Sequence, residues 1–589
     1  MKKNRRTLWL VALMALFFFT PARAQQQKEK DDFDDFAKEW DDFMSETDKD
    51  WEAFRDECNR EFADLLEQTW KEFAPEKPLP EPKDNGIKKE QIMQMAIPPQ
   101  QETMPPTNAL FNFNAIVQAA NNLKDKAIKP LFKKKDKKKK EEQRRRQQQL
   151  EEQRLAREQA AQTEQQAEAA RQAEADRQAE AARQAEAARQ QAEAARLQQE
   201  QQAAQEVISK DEEPVSEPKW LDFQLYGTAM KVNIADIKQQ LQLADTQGTT
   251  VANAWRLCST PQYKELIDDC LQLKEEHRLC DWAYLMMLRA MADAYLGEGT
   301  NEATFLTAYI YCQSGYRVRL GAINGKLLML YGSQHVIFGK PAWTYNGEYY
   351  YALNQDVNTY APISACPASF EQEESLSLLV PEEPKLDEQK STNHTFTAYR
   401  DKSFSISVDV NKNLMDFFDT YPSSRIGDDH MTRWVMLANT PLDQQVKDQL
   451  YPVLRKDLEG RSKKEAVTRL MDLLHGFTYE LDEKRWGHDR AFFAEETLFY
   501  EVSDCEDHAI LFSRLVRDLL GLDVALVHYE NPGHLACAVH FDEKDDVQGD
   551  YMQLGIDRYY VTDPTYFGAP IGLTMPCLKN ARVNVALLE

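Results

Sequence analysis

Residues 499–541 read FYEVSDCEDHAILFSRLVRDLLGLDVALVHYENPGHLACAVHF, and this stretch predicts a helix followed by two strands. Apolar residues recur every three or four positions through its first half, which predicts an amphipathic helix. Ser503 and Glu506 fit a capping box at the start of that helix, and Gly521 fits its stop. The helix is therefore expected to begin close to Cys505.

Cys505 is expected in the first turn of this helix. The free N–H groups and the positive end of the helix dipole favour a thiolate there, and the same N–H groups could hold a developing oxyanion. Three neighbouring acids, Asp504, Glu506 and Asp507, oppose ionisation because nearby negative charge raises the pKa of a thiol. A cationic histidine would have to outweigh them.

Two β-type runs follow the helix, Asp523–Tyr529 and His534–Phe541, with a turn sequence between them. A third run, Tyr559–Thr562, ends at Asp563. Pairing of neighbouring antiparallel strands would bring His534 beside Asp563, with the helix packed across the sheet. This is the arrangement of a thiol nucleophile, a base and an orienting carboxylate in covalent catalysis.

The chain from about Lys463 to Ala569 resembles the transglutaminase-like superfamily of papain-type folds. Three motifs carry the resemblance, in the order FFAEETLFYEVSDCEDHAILFSRLVRDLLGLDVALVHY, PGHLACAVHF and RYYVTDPTYFG. The resemblance implies an α+β fold with Cys505 as nucleophile, His534 as general base and acid, and Asp563 as its orienter. Ala536 stands where the family often has an aromatic residue. The implied mechanism needs no metal and no organic cofactor.

Each of these residues also has a purely structural interpretation. Cys505 could be a half-cystine or a small buried hydrophobe, His534 a hydrogen-bonded core histidine, and Asp563 a turn former before a proline. His508 is expected to be an exposed or packing residue. A metal site made of Cys505, His508 and His534 is a further alternative.

The first residues, Met1–Ala24, have the pattern of a secretory signal: four basic residues, the apolar run Leu8–Phe19, and small residues at a cleavage site. A protein exported to a periplasm or to the medium is expected, without a membrane-spanning helix after signal removal. In an oxidising compartment most cysteines would pair, and the odd count leaves one free or joined to another chain. The nine cysteines are residues 58, 258, 270, 280, 312, 366, 505, 537 and 577.

Three segments of different composition follow the signal. Residues 25–75 form an acidic segment with aromatic residues at helical spacing, which predicts amphipathic helices that pack on the chain or dock a partner. Residues 76–140 are rich first in proline and then in lysine, which predicts a linker. Its Lys133–Lys140 cluster could contact an anionic envelope polymer or remain a solvated tail. Residues 141–207 repeat QAEAAR, which favours a single long helix over a coiled coil and suggests a spacer.

The remaining chain is expected to hold two α+β units, residues 218–380 and 394–589, divided near Pro381–Asn393. The first unit repeats the order of elements of the second. A by-eye alignment places Gly299 at the position of Cys505, His335 at that of His534 and Asn354 at that of Asp563. We therefore predict a degenerate copy without a nucleophile, with chance similarity as the alternative.

The function expected from these features is thiol-dependent acyl chemistry on peptide or amide carbonyls, most simply hydrolysis, by an exported protein. Transfer to an amine acceptor stays open. The alternatives are a non-catalytic scaffold that binds peptides or envelope polymer, and a structural protein in which the long helix is the main element. Nucleic-acid binding is disfavoured by a net charge of −25.

Overall fold

The computed structural model describes residues 52–83, 86–97, 218–237, 239–353, 361–370 and 372–589, all of which belong to one compact unit. The predicted signal sequence, the Lys133–Lys140 cluster, the helix predicted for residues 141–207 and Asn354 lie outside the described residues. Within the described part of the chain, no helix is long and apolar enough to span a membrane.

The described residues combine helices with antiparallel sheets, which places them in the α+β class expected from the sequence. The helices are α1 (52–68), α2 (Lys89–Met95), α3 (Gly248–Cys258), α4 (Lys264–Glu276), α5 (Asp281–Leu296), α6 (Asn301–Gln313), α7 (Lys412–Thr420), α8 (Met431–Asn439), α9 (Gln444–Leu458), α10 (Lys463–Leu474), α11 (Glu496–Phe499) and α12 (Cys505–Leu520).

The strands form two larger sheets and three two-stranded ribbons. In chain order they are β1 (Lys71–Phe73), β2 (Trp220–Leu225), β3 (Thr228–Asn233), β4 (Val318–Ile323), β5 (Lys326–Ser333), β6 (His335–Ile337), β7 (Ala342–Tyr345), β8 (Glu348–Ala352), β9 (Ile363–Ala365), β10 (His394–Thr397), β11 (Ser405–Val408), β12 (Ser424–Ile426), β13 (Val524–Glu530), β14 (Gly533–His540), β15 (Tyr551–Leu554), β16 (Asp557–Thr562) and β17 (Val583–Leu587).

The C-terminal sheet has the strand order β15-β16-β14-β13-β17, and every neighbouring pair is antiparallel. Helix α12 packs on strands β13 and β14. Its apolar face, which includes Leu511, Phe512 and Leu515, is buried against them, as the helical spacing of these residues requires. The two β-type runs predicted after the helix are both confirmed as strands.

The sheet of the first half has the order β1-β9-β4-β5-β8-β7, and helix α6 packs on β4 and β5. In both halves a helix is followed by a central hairpin with a second hairpin on one side of it. On the other side lies one strand, β17, in the second half and two strands, β9 and β1, in the first. The degenerate copy stays a prediction. The halves are joined by pairing of β6 with β12.

Residues 52–97 are integral to the fold. Helix α1 buries Phe62, whose ring stacks on Phe370 with centroids 4.5 Å apart, so this part of the aromatic segment packs on the chain as predicted. The helix ends at residue 68, and Phe73 lies in β1. The prediction of a helix through Phe73 is therefore wrong, because β1 instead pairs its main chain with β9 and forms the edge of that sheet.

The linker predicted from residue 76 packs on the body over its described residues, where Ile87 and Ile92 are buried. Residues 52–97 and 218–589 thus belong to the same unit. The spacer prediction concerns residues 141–207, which lie outside the described residues, and it stays a prediction.

The cysteines form no disulfide, although all nine lie in the part of the chain that the structure describes. The expectation that most of them would pair is contradicted. Cys577 is exposed, Cys58 and Cys280 are half-buried, and the other six are buried. Among the buried ones, Cys366 Sγ lies 3.2 Å from Thr69 Oγ1 and Cys537 Sγ donates to the Ala509 carbonyl, so these two act as small hydrophobes with a weak donor.

Candidate active site

Helix α12 begins at the predicted cysteine. Its N-cap is Asp504, and a capping box joins Asp504 to Asp507, one residue later than the expected box of Ser503 and Glu506. The stop at Gly521 is confirmed, since this residue has φ +60° in the left-handed region. Cys505 is therefore the first helical residue, where backbone N–H groups lack partners within the helix.

His534 lies at the start of β14, opposite Tyr529 of β13. Pairing of β14 with β16 brings the end of β16 alongside, so that His534 Nε2 lies 2.8 Å from Asp563 Oδ2. Both side chains are buried. The juxtaposition of His534 and Asp563 expected from antiparallel pairing is present in the structure.

Asp563 is held in a single orientation. Its Oδ1 accepts hydrogen bonds from Thr565 N at 3.0 Å, Thr565 Oγ1 at 2.9 Å and Tyr566 N at 3.2 Å. Burial alone would raise the pKa of this carboxyl, but the His534 ring and the bonds from Thr565 outweigh burial and lower it. Asp563 is therefore an ionised acceptor for the histidine N–H.

The second ring nitrogen of His534, Nδ1, is buried and has no hydrogen-bond partner within the described residues. Because Nε2 donates to the Asp563 carboxylate, the neutral ring carries its lone pair on Nδ1. This assignment of the tautomer follows from the hydrogen-bond partner. A base with an unoccupied nitrogen is what proton abstraction from a thiol requires.

Cys505 lines a cleft of about 220 Å³ together with His534. Its Sγ accepts a long hydrogen bond from Leu535 N at 3.5 Å and donates to Glu506 Oε2 at 3.1 Å. Burial, followed by the charges of Glu506 and Asp504, raises the pKa of the Cys505 thiol well above its usual value. Burial, with the two acids, therefore prevails over the helix N-terminus, and the resting group is the neutral thiol.

A buried polar cluster supports the floor of the cleft. Arg433 pairs with Asp489 through Nη1 and Oδ2 at 2.6 Å. Burial would raise the pKa of Asp489, but Arg433 lowers it to about 2. Burial and the Asp489 charge raise the pKa of Glu506 well above its ordinary value. The cluster thus combines one ion pair with a Glu506 carboxyl whose ionisation is disfavoured.

Two groups of three side chains have ligand atoms close enough to share a cation, Asp504 with Cys505 and Glu506, and Asp482 with Asp489 and Glu506. The Arg433 guanidinium already supplies a positive charge beside Asp489. Among the described residues, neither group includes His508 or His534, which the alternative metal site required.

His508 belongs to the core. It is fully buried, its Nε2 lies 2.9 Å from Ser503 Oγ, and burial lowers its pKa to about 3. The packing interpretation of His508 is therefore correct. The ring, on α12 itself, is in edge-on contact with Phe477 and Tyr479.

Trp434 of α8 is a residue of the cleft that the sequence did not reveal. It is 8% exposed, and its ring lies 4.8 Å from that of His528. Its Nε1 is buried without a partner in the described part of the chain. Trp434 lines the cleft together with His528. It lies more than seventy residues before Cys505, so no local pattern connects the two.

The first half has no thiol in the corresponding place. Leu327 N at the start of β5 donates to Asn301 Oδ1 at 2.9 Å, as Leu535 N does to Cys505 Sγ. Asn301, the first residue of α6, thus takes the place that the sequence alignment gave to Gly299. His335 lies in β6, outside the six-stranded sheet, and so is not the counterpart of His534.

No known protein family, curated protein or solved structure matches this chain. The function is therefore inferred from the arrangement of Cys505, His534 and Asp563 around the cleft.

Proposed function

We propose that this protein performs thiol-dependent acyl chemistry on peptide or amide carbonyls, with hydrolysis as the simplest outcome. The observation that carries the proposal is the His534–Asp563 pair, whose buried ring leaves Nδ1 unoccupied beside a cleft that also contains Cys505. A papain-type core is part of this proposal. The helix-borne thiol packed on an antiparallel sheet with the histidine and aspartate on adjacent strands supports it.

The reaction begins with the neutral thiol. As Cys505 Sγ bonds to the substrate carbonyl carbon, His534 Nδ1 takes the thiol proton, and Asp563 stabilises the resulting imidazolium. The N–H groups at the start of α12 and the Trp434 indole N–H are the donors available to the oxyanion. His534 then protonates the leaving amine as the C–N bond breaks, which leaves a thioester on Cys505.

Water completes the cycle. His534 removes a proton from water as its oxygen attacks the thioester, and the collapse of the tetrahedral intermediate releases the carboxylic acid and restores the Cys505 thiol. An amine in place of water would give acyl transfer by the same steps. No step needs a redox partner, because bonds to carbon and nitrogen are exchanged without any change of oxidation state.

The proposal is tested with p-nitrophenyl acetate, an ester small enough for the cleft. Release of nitrophenolate and peptide mass spectrometry would follow acetylation of Cys505, with the exposed Cys577 as an internal reference. We expect acetylation of Cys505 to be lost in Cys505→Ser and strongly slowed in His534→Ala. Equal rates at Cys505 in the wild type and in His534→Ala would overturn the proposal.

A non-catalytic scaffold is the second candidate, and the raised pKa of the buried Cys505 thiol favours it. On this alternative the cleft binds a peptide without chemistry. Cys505→Ala would then leave the cellular phenotype unchanged, whereas the catalytic proposal requires its loss. Export to a periplasm or the medium, and contact of Lys133–Lys140 with an anionic envelope polymer, belong to both candidates.

A further inference from the structure

Residues 76–83 and 86–97, here called the cover segment, cross the cleft that contains the candidate nucleophile. Pro82, Lys83 and Gly86 line this cleft together with Cys505 and His534. Only 3% of Cys505 and 1% of His534 are exposed. A macromolecular substrate therefore meets the cover segment before it meets the thiol.

The body binds the cover segment through its main chain. The Pro82 carbonyl accepts a hydrogen bond from Asp489 N at 3.2 Å, and the Ile87 carbonyl accepts one from Tyr479 Oη at 2.9 Å. Both donors belong to the C-terminal half, on the approach to α12. Recognition of backbone carbonyls along an extended chain is how grooves bind peptides of varied sequence.

The start of the cover segment is also bound through its backbone, by the first half of the protein. Glu76 N donates to the Ala342 carbonyl at 2.7 Å, and the Leu79 carbonyl accepts from Gly339 N at 2.8 Å. The segment thus adds to the edge of β7 before it reaches the cleft. Both halves of the protein contribute to one continuous peptide-binding path.

Two aliphatic side chains anchor the remainder of the segment. Ile87 is 2% exposed and Ile92, on α2, is fully buried. The segment ends where Ile97 N donates to the Phe567 carbonyl at 2.9 Å. Gly568 accommodates this approach, since a Cβ there would lie 2.2 Å from the Ile97 carbonyl oxygen.

We propose that the cleft is a groove for extended polypeptide with an aliphatic residue after a glycine, and that the cover segment occupies it as an internal competitor. This inference rests on the proposed function, because it names the substrate class of the same site. The cover segment places Gly86 at the cleft and buries Ile87 next to it in the chain, and Cys505 becomes accessible to a polypeptide when the segment leaves.

The test measures the labelling of Cys505 by a polyethylene glycol maleimide too bulky for the covered cleft. Ile92→Asp places a charge in the anchoring pocket, and Met93→Asp on the same helix is the matched control because Met93 is exposed. We expect Ile92→Asp to raise the labelling rate of Cys505 by about 100-fold or more, with Met93→Asp unchanged. Circular dichroism would establish that both variants are folded.

A synthetic peptide of residues 76–97 supplies an independent measurement. Added in excess to the Ile92→Asp chain, it should restore the protection of Cys505, whereas the same peptide carrying Ile87→Asp should not. Tyr479→Phe keeps the body folded by a smaller change and removes the donor to the Ile87 carbonyl. It should raise the labelling rate of Cys505 by about fivefold, as loss of one hydrogen bond predicts. If Ile92→Asp does not fold, this variant tests whether the cover segment protects Cys505.

The outcomes separate the two proposals. Labelling of Cys505 at the same rate in the wild type, Ile92→Asp and Tyr479→Phe would overturn the cover segment and leave the acyl chemistry standing. Full labelling of Cys505 in Ile92→Asp without acetylation by p-nitrophenyl acetate would support the cover segment and overturn the catalytic proposal.

Discussion

Replacement of Asp563 by asparagine is the sharpest perturbation of the candidate site. Oδ1 of Asp563 accepts three hydrogen bonds from Thr565 and Tyr566, so the amide oxygen of asparagine must stay there. The amide NH₂ group must then face His534 Nε2, which lies 2.8 Å from Oδ2 in the wild type. An N–H in that place forces Nε2 to accept, and the ring proton moves to Nδ1.

The variant thus keeps the shape of the site and removes the base, because a protonated Nδ1 cannot take the thiol proton. General base catalysis contributes about 10²- to 10⁴-fold, or about 3–5 kcal/mol of barrier. We expect the acetylation rate of Cys505 by p-nitrophenyl acetate to fall by that factor in Asp563→Asn. The matched control is Asp557→Asn, since Asp557 is an exposed residue of the same strand.

A second comparison addresses the coupling of the two residues. If Asp563 acts only through His534, the double variant His534→Ala/Asp563→Asn is no slower than His534→Ala alone. An Asp563→Asn rate within a few-fold of the wild type would refute the tautomer argument. Additive losses in the double variant would refute the assignment of Asp563 as the orienter of His534.

Three further predictions concern the thiol, the ion pair beneath the cleft and the end of helix α12. Burial and Glu506 raise the pKa of Cys505, so the rate of alkylation of this thiol should increase only at pH values above the ordinary thiol pKa. Glu506→Gln should shift this increase to lower pH. An increase at acidic pH in the wild type would contradict the prediction. Arg433→Met leaves the buried Asp489 carboxylate without its ion-pair partner and should lower the free energy of unfolding, measured in urea, by about 3–5 kcal/mol. Adding Asp489→Asn should restore part of this free energy, and no restoration would contradict the pairing. Gly521→Ala should lower the free energy of unfolding by about 1–2 kcal/mol, because Gly521 has φ +60° in the left-handed region. An unchanged unfolding midpoint would be inconsistent with that conformation.

The C-terminal half was predictable because its signals are local. The stop at Gly521, the hairpin before His534 and the aspartate after β16 each follow from a few adjacent residues, and strand pairing does the rest. The cap was misplaced by one residue because Ser503 and Asp504 are both good N-caps, each with an acid three positions later. Only the packing of the chain selects between them.

The features that sequence could not reveal depend on distant contacts. Trp434 enters the cleft from a helix that no motif connects to Cys505, and the prolines near residue 82 indicate extended chain without saying what it touches. The alignment failed at His335 for a similar reason. A histidine at a fitting distance along the chain lies outside the sheet, because β6 pairs with β12 of the other half.

The position of the cover segment in the chain has a consequence for biosynthesis. A ribosome makes residues 76–97 before it makes Cys505, His534 and Asp563. The apolar face of α1, with Phe62, likewise becomes buried only after Trp255 and Phe370 have been made. If the cover segment occupies the cleft as proposed, the three residues come together in its presence, and the newly made protein is closed from the moment its cleft forms.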